Sequence, residues 1–524
     1  MAESLDVVVR SFNINSKLGP KLKAAAEQNA ILRIGWTNAG EPVPKNGELG
    51  LCPGLPKGAK IRALGLLGSW TASFGQGGTF TIQGDSGSFL GAGNNGNTIT
   101  CEKSSGNYAG FAMNSGKISV LDGCGDDAGA MMSGGILVIR GNAGSRVGGG
   151  MTGGLIVVDG DIGSDPGSGM TGGKIIVNGR CPNPPSGIQL RPVTEAELKS
   201  INKEIDDKEF VIPKDSVCLE SIDEYKPTNF ETVVSSGGMS GIGLVPSDSP
   251  RKMNYISCDT VALIGERDET NTPIALPLPI LPEILDGNTL TGSDTSKSPD
   301  ILTSQPFLVS INPRSNDFLN ITTSSLTGIA EQLPNCSGFI VDFTQLPSMN
   351  SEEIDGLLVS LRSLIGREKP FGISDGIGRV ESLHKRASYH NADLAFCKIE
   401  DGTGISEPAS MPLIGRSSKS NLTNGITEPG IQLGFTADAH DVAKFRATGV
   451  KIVNCKPPME DYLEIENWLN LMQEELSMIL RELGYDSIDA LSRQNLRALD
   501  FETASVSGLR LSGYERPLPH WFAR

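Results

Sequence analysis

A short phrase recurs every 19 residues in the first third of the chain, and this period constrains the fold more than any other feature. Each copy starts with methionine, contains glycine and precedes four residues typical of a β-strand. The copies start at Met113, Met132, Met151 and Met170, and the runs after them are KISV, ILVI, LIVV and KIIV. A weaker fifth copy starts at Asn94. Such a unit is too short for a repeated helix pair. It matches one coil of a right-handed β-solenoid, in which stacked coils share a continuous core.

The residue types within each repeat favour stacked coils. Side chains alternate along a strand, so Ile175 and Val177 are expected to face one side and Ile176 the other. Glycine pairs fit corners, where the backbone needs a positive φ or lies close to a neighbour. The methionines at 132, 151 and 170 are predicted to point inward and stack, because methionine adapts to an irregular interior. A flexible linker has no reason to space hydrophobic triplets evenly, and collagen needs glycine at every third residue.

Composition limits the function classes. The chain has 524 residues and a net charge of −16, so a nucleic-acid-binding surface is not expected. The sequence shows neither a signal-peptide pattern nor an apolar stretch long enough for a transmembrane helix, which predicts a cytoplasmic protein. Nine cysteines are widely spaced and form no short metal-binding pair. We therefore expect reduced thiols, no metal site and no iron–sulfur cluster.

Predicted strands and helices alternate in the second half of the chain. Strands are predicted at 338–343, 369–374, 392–399, 430–435 and 450–455, and helices at 351–365, 379–391, 436–449 and about 459–482. Alternation of this kind indicates a parallel sheet or a TIM-type β/α barrel.

Five segments follow from these patterns. They are a lead segment at 1–64, the β-solenoid at 65–185, a linker or packing arm at 186–254, the barrel domain at 255–500 and a carboxyl-terminal tail at 501–524. Within the lead segment, a short helix is predicted at 18–28, with Ser16 as its cap. Prolines after residue 181 are expected to close the solenoid, since proline cannot donate to a further strand.

Both halves of the sequence resemble the large chain of glutamate synthase. Residues 11–182 are similar to its GXGXG domain, with RSFNINSKLGPKL in the opening segment and GSWTASFGQGG in the first coil. In the second half, residues 466–491 are similar to the closing helix of the family's FMN barrel. Residues 399–406 resemble its glycine-rich turn, and 430–455 its phosphate-side strand–helix–strand. The same coil type occurs in one of the polypeptides of formylmethanofuran dehydrogenase, so the repeat alone leaves the function open.

The resemblance implies a barrel that binds FMN. Its phosphate would lie near Asp401, Gly402, Thr403, Gly404, Gly434 and Thr436. A glycine turn offers backbone N–H groups to an anion, and phosphates often bind near the last two strands of such barrels, where Gly430 also lies. A plain tight turn explains the same glycines. Asp375 and Glu400 lie near strand ends as candidate catalytic acids, with a solvated loop role as the alternative, so no catalytic residue is assigned.

The sequence departs from the family in several respects. The family usually places the barrel before the solenoid. The amino-terminal cysteine nucleophile of the glutaminase domain has no counterpart in Met1-Ala2-Glu3, and the three-cysteine iron–sulfur loop retains only Cys455. The flavin-contacting lysine is replaced by Ser374 or Asp375, so FMN binding is expected to be weak.

Three functions therefore stand. The first is a glutamate synthase-like oxidoreductase subunit that transfers amino nitrogen and reduces an imine with a flavin. The second is a non-catalytic scaffold with a degenerate barrel, and the third is a component of the formylmethanofuran dehydrogenase type, which acts on one-carbon carriers. The first requires a separate glutamine amidotransferase, a reductase subunit or both, to supply ammonia and electrons. The oligomeric state stays open.

Overall fold

The computed structural model describes residues 2–35, 47–205, 210–222, 239–247, 255–263, 274–291, 301–399 and 403–514. Contacts divide the chain into two compact units. The first unit comprises Met1–Asn229, Thr323–Pro334 and Ser348–Gly366. The second comprises Phe230–Thr322, Asn335–Pro347 and Arg367–Arg524.

A ten-stranded sheet forms the centre of the first unit, after helix α1 (Ala2–Glu27). Its strands are β1 (Ile31–Ile34), β2 (Lys60–Leu64), β3 (Thr79–Gln83), β4 (Asn95–Cys101), β5 (Ser115–Val120), β6 (Ile136–Ile139), β7 (Thr152–Val158), β8 (Gly172–Val177), β9 (Ile188–Pro192) and β10 (Val217–Ser221). Strands β1 to β8 are parallel and follow chain order. Strand β10 pairs antiparallel with both β8 and β9 and ends the parallel run.

The 19-residue period of the sequence is the register of this sheet. From β2 to β8, each strand pairs with the next through the residues Lys60, Thr79, Thr98, Lys117, Ile136, Leu155 and Lys174. A second column of single parallel bridges has the same spacing and joins Glu48, Leu67, Ser86, Ser105, Cys124, Ala143 and Ile162. The repeat therefore begins well before the first copy recognised in the sequence. The earlier repeats were not recognised because they lack the methionine phrase.

The sheet buries apolar side chains on both faces. Ile175 and Val177 belong to the larger core, whereas Ile176 lies in a second core with Leu198 and Ile201 of helix α2 (Glu195–Ile205). The predicted alternation of these three strand residues is confirmed. Because α2 covers the second face, strands of this region are apolar at consecutive positions.

The repeated methionines are fully buried in the larger core, as predicted from their spacing. The fourth residue of each methionine phrase is a glycine with positive φ, and Gly154 has φ +91°. A Cβ atom at Gly154 would lie 2.9 Å from the carbonyl carbon of Gly134 and from the carbonyl oxygen of Gly135. Gly154 therefore lies within β7 and not at the predicted corner, at an irregularity of the register between Thr152 and Leu155 where neighbouring repeats are too close for a larger residue.

Helix α1 is much longer than the predicted helix at 18–28, and Ser16 lies inside it. Ile14, Leu18 and Leu22, spaced four apart, form its buried face. The buried Asn15 interrupted this pattern in the sequence. In the structure, it donates to the Gly50 carbonyl oxygen at 2.8 Å and accepts from the Cys52 N–H at 2.9 Å.

A closed barrel of eight parallel strands forms the second unit, which confirms the predicted barrel. Two short strand pairs accompany it, β11 (Ile242–Leu244) with β22 (Leu496–Ala498) and β12 (Thr260–Leu263) with β13 (Ile274–Leu276). The barrel strands are β14 (Ile280–Asp286), β15 (Leu308–Ile311), β16 (Phe318–Ile321), β17 (Gly338–Asp342), β18 (Phe371–Gly376), β19 (Leu394–Lys398), β20 (Glu428–Gln432) and β21 (Ile452–Cys455). Strand β14 pairs with β21 and closes the barrel.

The remaining helices follow the barrel strands in the chain. They are α3 (Ile301–Ser304), α4 (Ile329–Gln332), α5 (Ser351–Ile365), α6 (Val380–His390), α7 (Glu407–Asn421), α8 (Ala439–Ala447), α9 (Tyr462–Leu483) and α10 (Phe501–Ser507). The four helices predicted in this half correspond to α5, α6, α8 and α9 and are confirmed. Helix α7 was missed because Pro408 and Pro412 lie in its first turns. Among the helices that the structure describes, none has the length and apolar character needed to cross a membrane.

We predict that Met151→Asp strongly destabilises the chain, because it places an unpaired carboxylate in a fully buried site. The expected loss is on the order of 3–5 kcal/mol. Met131→Asp is the matched control, because Met131 is 47% exposed and its φ of 58° is tolerated by aspartate. Thermal unfolding of both variants measures the difference. An unchanged melting temperature for Met151→Asp would refute the inward packing.

Candidate functional site

The barrel lumen changes from apolar to polar along its strands. Leu281, Leu308, Phe318, Leu394 and Ile452, which occupy early strand positions, belong to one apolar core. Later positions hold polar side chains, namely Glu283, Asn320, Asp342, Ser374, Lys398, Gln432 and Asn454. The polar half lies toward the carboxyl ends of the strands, where β/α-barrel enzymes hold their active sites.

Four of these residues form a connected layer. Asn320 Nδ2 lies 3.3 Å from Glu283 Oε1, Gln432 Nε2 lies 3.2 Å from Glu283 Oε2, and Ser374 Oγ donates to Gln432 Oε1 at 2.6 Å. The residues come from β14, β16, β18 and β20, so every contact spans an intervening strand. Side chains of alternate strands meet only inside a barrel, which places this layer in the lumen.

A charged pair joins two of the other strands. Lys398 Nζ, at the end of β19, lies 3.5 Å from Asp342 Oδ2 at the end of β17. The same amine lies 3.4 Å from Thr344 Oγ1, and Asp342 Oδ1 accepts from the Thr344 hydroxyl at 2.6 Å. A lysine amine and a carboxylate are therefore held together at the carboxyl edge of the barrel.

Glu283 is the acid of the polar layer. Burial raises its pKa, and this effect is opposed by the hydrogen bond from Gln432 and by the charges of Lys398 and Lys456. The group therefore keeps its proton to a higher pH than an ordinary glutamate. A carboxyl group whose pKa is raised in this way is a better proton donor above the ordinary glutamate range than an exposed glutamate is.

Two buried amide oxygens lack a donor in this region. Asn320 Oδ1 and Asn454 Oδ1 have no hydrogen-bond partner among the described residues. Asn454 lies two positions after the apolar-core residue Ile452 and so faces the lumen as well. An unpaired buried acceptor costs about 1–3 kcal/mol. A molecule with N–H or O–H groups in the lumen would remove this cost.

Four residues of the predicted phosphate site lie in the loops after two adjacent strands. Thr403 and Gly404 are exposed just after β19, and the half-buried Gly434 and exposed Thr436 follow the adjacent strand β20. Gly404 has φ +72°, and a Cβ there would meet no described atom within 4 Å. Asp401 and Gly402 lie outside the described residues, as does the candidate acid Glu400. Phosphate binding by these two loops stays a prediction.

Two other sequence candidates have structural roles. A Cβ at Gly430 would lie 2.5 Å from the Phe396 ring, so packing explains this glycine. Asp375 follows the lumen residue Ser374 and faces the opposite side of the strand. There its carboxylate lies 2.7 Å from an Arg379 nitrogen and 3.8 Å from an Arg386 nitrogen. Burial raises the pKa of Asp375, and the two arginines oppose that effect.

Apart from Ser374, the polar lumen residues were not candidates in the sequence. A signal was present, because the apolar runs GFIVD, AFCK and GIQ each end in a polar residue, and these residues are Asp342, Lys398 and Gln432. A single polar residue at a strand end usually marks only the start of a loop. The shared position on several strands distinguishes this set.

Comparisons with known proteins give distant similarities. No family model matches the chain, and no curated protein matches it. The recombinant flavin-binding domain of baker's yeast flavocytochrome b2 is 16% identical, with a TM-score of 0.33, covering 54% of this chain and 83% of that chain. A soluble mutant of the membrane-associated (S)-mandelate dehydrogenase from Pseudomonas putida is 12% identical, with a TM-score of 0.35, covering 50% of this chain and 88% of that chain. Similarity at this level carries no functional argument.

We predict that Glu283→Gln stabilises the chain more at neutral pH than at acid pH. The raised pKa means that the folded state binds the proton more tightly than the unfolded state. Wild-type stability therefore falls as pH rises above the unfolded value of about 4.3, whereas the glutamine variant has no such loss. The measurement is the difference in melting temperature between variant and wild type at both pH values. Glu474→Gln, at an exposed position on α9, is the control and should show a constant difference. A constant difference for Glu283→Gln would contradict the prediction.

Proposed function

We propose that the chain is a flavin-dependent oxidoreductase subunit of the glutamate synthase type, with its reaction at the carboxyl edge of the barrel. The observation that carries this proposal is the polar layer built on Glu283, together with the donor-lacking oxygens of Asn320 and Asn454. A barrel that needed only stability would fill these positions with apolar side chains, as it does in its other half.

The residues present fit FMN. Thr403, Gly404, Gly434 and Thr436 would hold its phosphate in the two loops after β19 and β20. The amide oxygens of the lumen would accept from ring N–H groups. Lys398 would supply the cation that the sequence lacks on β18, since its amine lies on the next strand. FMN, when bound, supplies hydride and electron transfer.

The chain's own residues would manage charge and protons around that cofactor. The amine of Lys398 favours negative charge that develops near it, because it is held in a partly buried site. Glu283 can deliver a proton to a substrate nitrogen, since its raised pKa keeps the carboxyl group protonated to higher pH. Together these roles suit the reduction of an imine to an amine.

A non-catalytic scaffold is the second candidate. The observation that favours it is Asp375, which lies on the strand that carries the family's flavin-contacting lysine. Ser374 or Asp375 replaces that lysine, and neither supplies a cation, since Ser374 is a neutral hydroxyl in the lumen and Asp375 is an anion paired with Arg379 and Arg386. In this alternative, the polar lumen is a remnant and the barrel binds no cofactor.

We infer further that the parallel sheet of the first unit is one face of a β-solenoid that serves as a spacer. Its support is the second column of bridges from Glu48 to Ile162, which has the same 19-residue spacing as the strands. Two columns with one period require the chain to return to the same point after each repeat.

We predict that the purified chain retains or rebinds FMN, and that Lys398→Met weakens this binding roughly tenfold or more. Loss of a charge-assisted contact of about 1.5–3 kcal/mol gives an effect of this size. Lys419→Met, at an exposed position on α7, is the matched control and should bind like wild type. Absorption spectra, a flavin titration and mass spectrometry of released molecules provide the measurement. Wild-type protein that neither carries nor rebinds flavin would favour the scaffold.

We propose that a separate amidotransferase or reductase subunit supplies ammonia and electrons. Support comes from the nine cysteines, because burial raises the pKa of every thiol, including those of Cys52 and Cys455 to about 12. A thiol with a raised pKa is a poor nucleophile for glutamine.

We therefore predict that the isolated chain releases no ammonia from glutamine, and that affinity purification from native extract recovers one of these two subunit types. An ammonia-release assay and mass spectrometry of the copurified chains test both parts. Glutamine hydrolysis that persists through further purification would contradict the first part. Recovery of neither subunit type would contradict the second.

A further inference from the structure

A second polar cavity lies in the second unit, among residues that take no part in the barrel lumen. Its volume is about 590 Å³. Arg493, Arg497 and Arg510 line it together with Tyr485 and Asn495, and none of its described lining residues is acidic. This volume is in the range of pockets that hold small molecules.

The walls of the cavity are fixed by hydrogen bonds. Strand β22 pairs with β11 on one side, and the Ala498 N–H donates to the Arg510 carbonyl oxygen at 2.9 Å on the other. Asn495 Nδ2 donates to the Val245 carbonyl oxygen at 3.1 Å and to the Tyr485 hydroxyl at 3.0 Å. The backbone that carries the arginines is therefore held in place by hydrogen bonds.

The three arginines lack counter-charges within the described part of the chain. An Arg493 nitrogen donates to the Ser507 carbonyl oxygen at 2.8 Å, and Arg497 donates to the carbonyl oxygens of Gln494 and Leu496, also at 2.8 Å. These partners are neutral. Neither these two side chains nor that of Arg510 forms an ion pair with a described carboxylate.

The cavity differs in charge from the chain as a whole. Acidic residues outnumber basic ones, and the net charge is −16. Other arginines of the second unit do find carboxylates, as Arg314 does with Asp317 at 2.8 Å. Arg493 and Arg510 are exposed and Arg497 is half-buried. Three positive charges that line one cavity, with no acidic residue among its described lining, favour an anion there.

We propose that this cavity binds a small phosphorylated molecule, with its phosphate group among the three arginines. The planar guanidinium group donates two parallel hydrogen bonds to phosphate, and phosphate has enough oxygens for several such donors. Tyr485 and Asn495 provide a neutral polar wall for the rest of the molecule. The site is independent of the flavin proposed for the barrel.

Pyrophosphate is the probe for isothermal titration calorimetry on the full chain at low and at high salt. The expected result is one site per chain, with binding that weakens as salt rises. Arg510→Gln should weaken it roughly tenfold or more, and it should leave the fold intact because the Arg510 side chain bonds to no described residue. Arg416→Gln, at an exposed position on α7, is the matched control and should bind like wild type.

Three results would overturn the proposal. They are absence of pyrophosphate binding to the wild-type chain at low salt, equal losses in the two arginine variants, and citrate binding as tight as pyrophosphate. Melting temperatures of both variants should match wild type, which separates a lost contact from a lost fold. If Arg510→Gln alone unfolds, Arg497→Gln replaces it in the same comparison.

Discussion

Closure of the barrel, by pairing of β14 with β21, is the constraint on which the candidate site depends. In an open sheet, the side chains of β14 and β20 would lie far apart and would not meet. The closed lumen brings Glu283 to 3.2 Å from Gln432 across the intervening strand. The inward curvature of the barrel brings Lys398 on β19 to 3.5 Å from Asp342 on β17, across β18. The chemistry of the second unit therefore results from topology more than from any local motif.

In the first unit, the strand register determines which side chains lie next to each other. Because each strand pairs with residues 19 positions later, each position of a repeat lies beside the same position of the next repeat. Apolar residues such as Met151 then stack within one core. The same recurrence imposes glycine at close backbone approaches, as at Gly154, where a side chain would meet the repeat before it. One period thus determines both the core and the positions that require glycine.

Structural features that depend on a local sequence pattern could be predicted from the sequence. The alternation of Ile175, Ile176 and Val177 was predictable because it follows from strand geometry alone. The extent of α1 was not predictable from the sequence. A polar residue such as Asn15 is not expected on a buried helix face unless its hydrogen-bond partners, here Gly50 and Cys52, are known. Likewise, the lumen layer needs contacts between residues up to 149 positions apart, which no local pattern specifies. The loops predicted to bind phosphate were only partly predictable, because their glycines are compatible with a tight turn as well as with anion binding.

Buried polar groups that lack hydrogen-bond partners distinguish candidate functional positions from structural ones in this chain. Arg191 is balanced by Glu197 and Glu220, each at 2.7 Å, and such a network is explained by stability and local order alone. The lumen differs, because Glu283 is held with a raised pKa beside an amide oxygen that has no donor among the described residues. Leaving those groups unpaired lowers stability, and apolar residues of similar size would avoid the loss. Since the amino-terminal half of the same lumen does use apolar residues, the fold does not require the polar set. The polar set is therefore the observation on which the proposed ligand of the lumen depends.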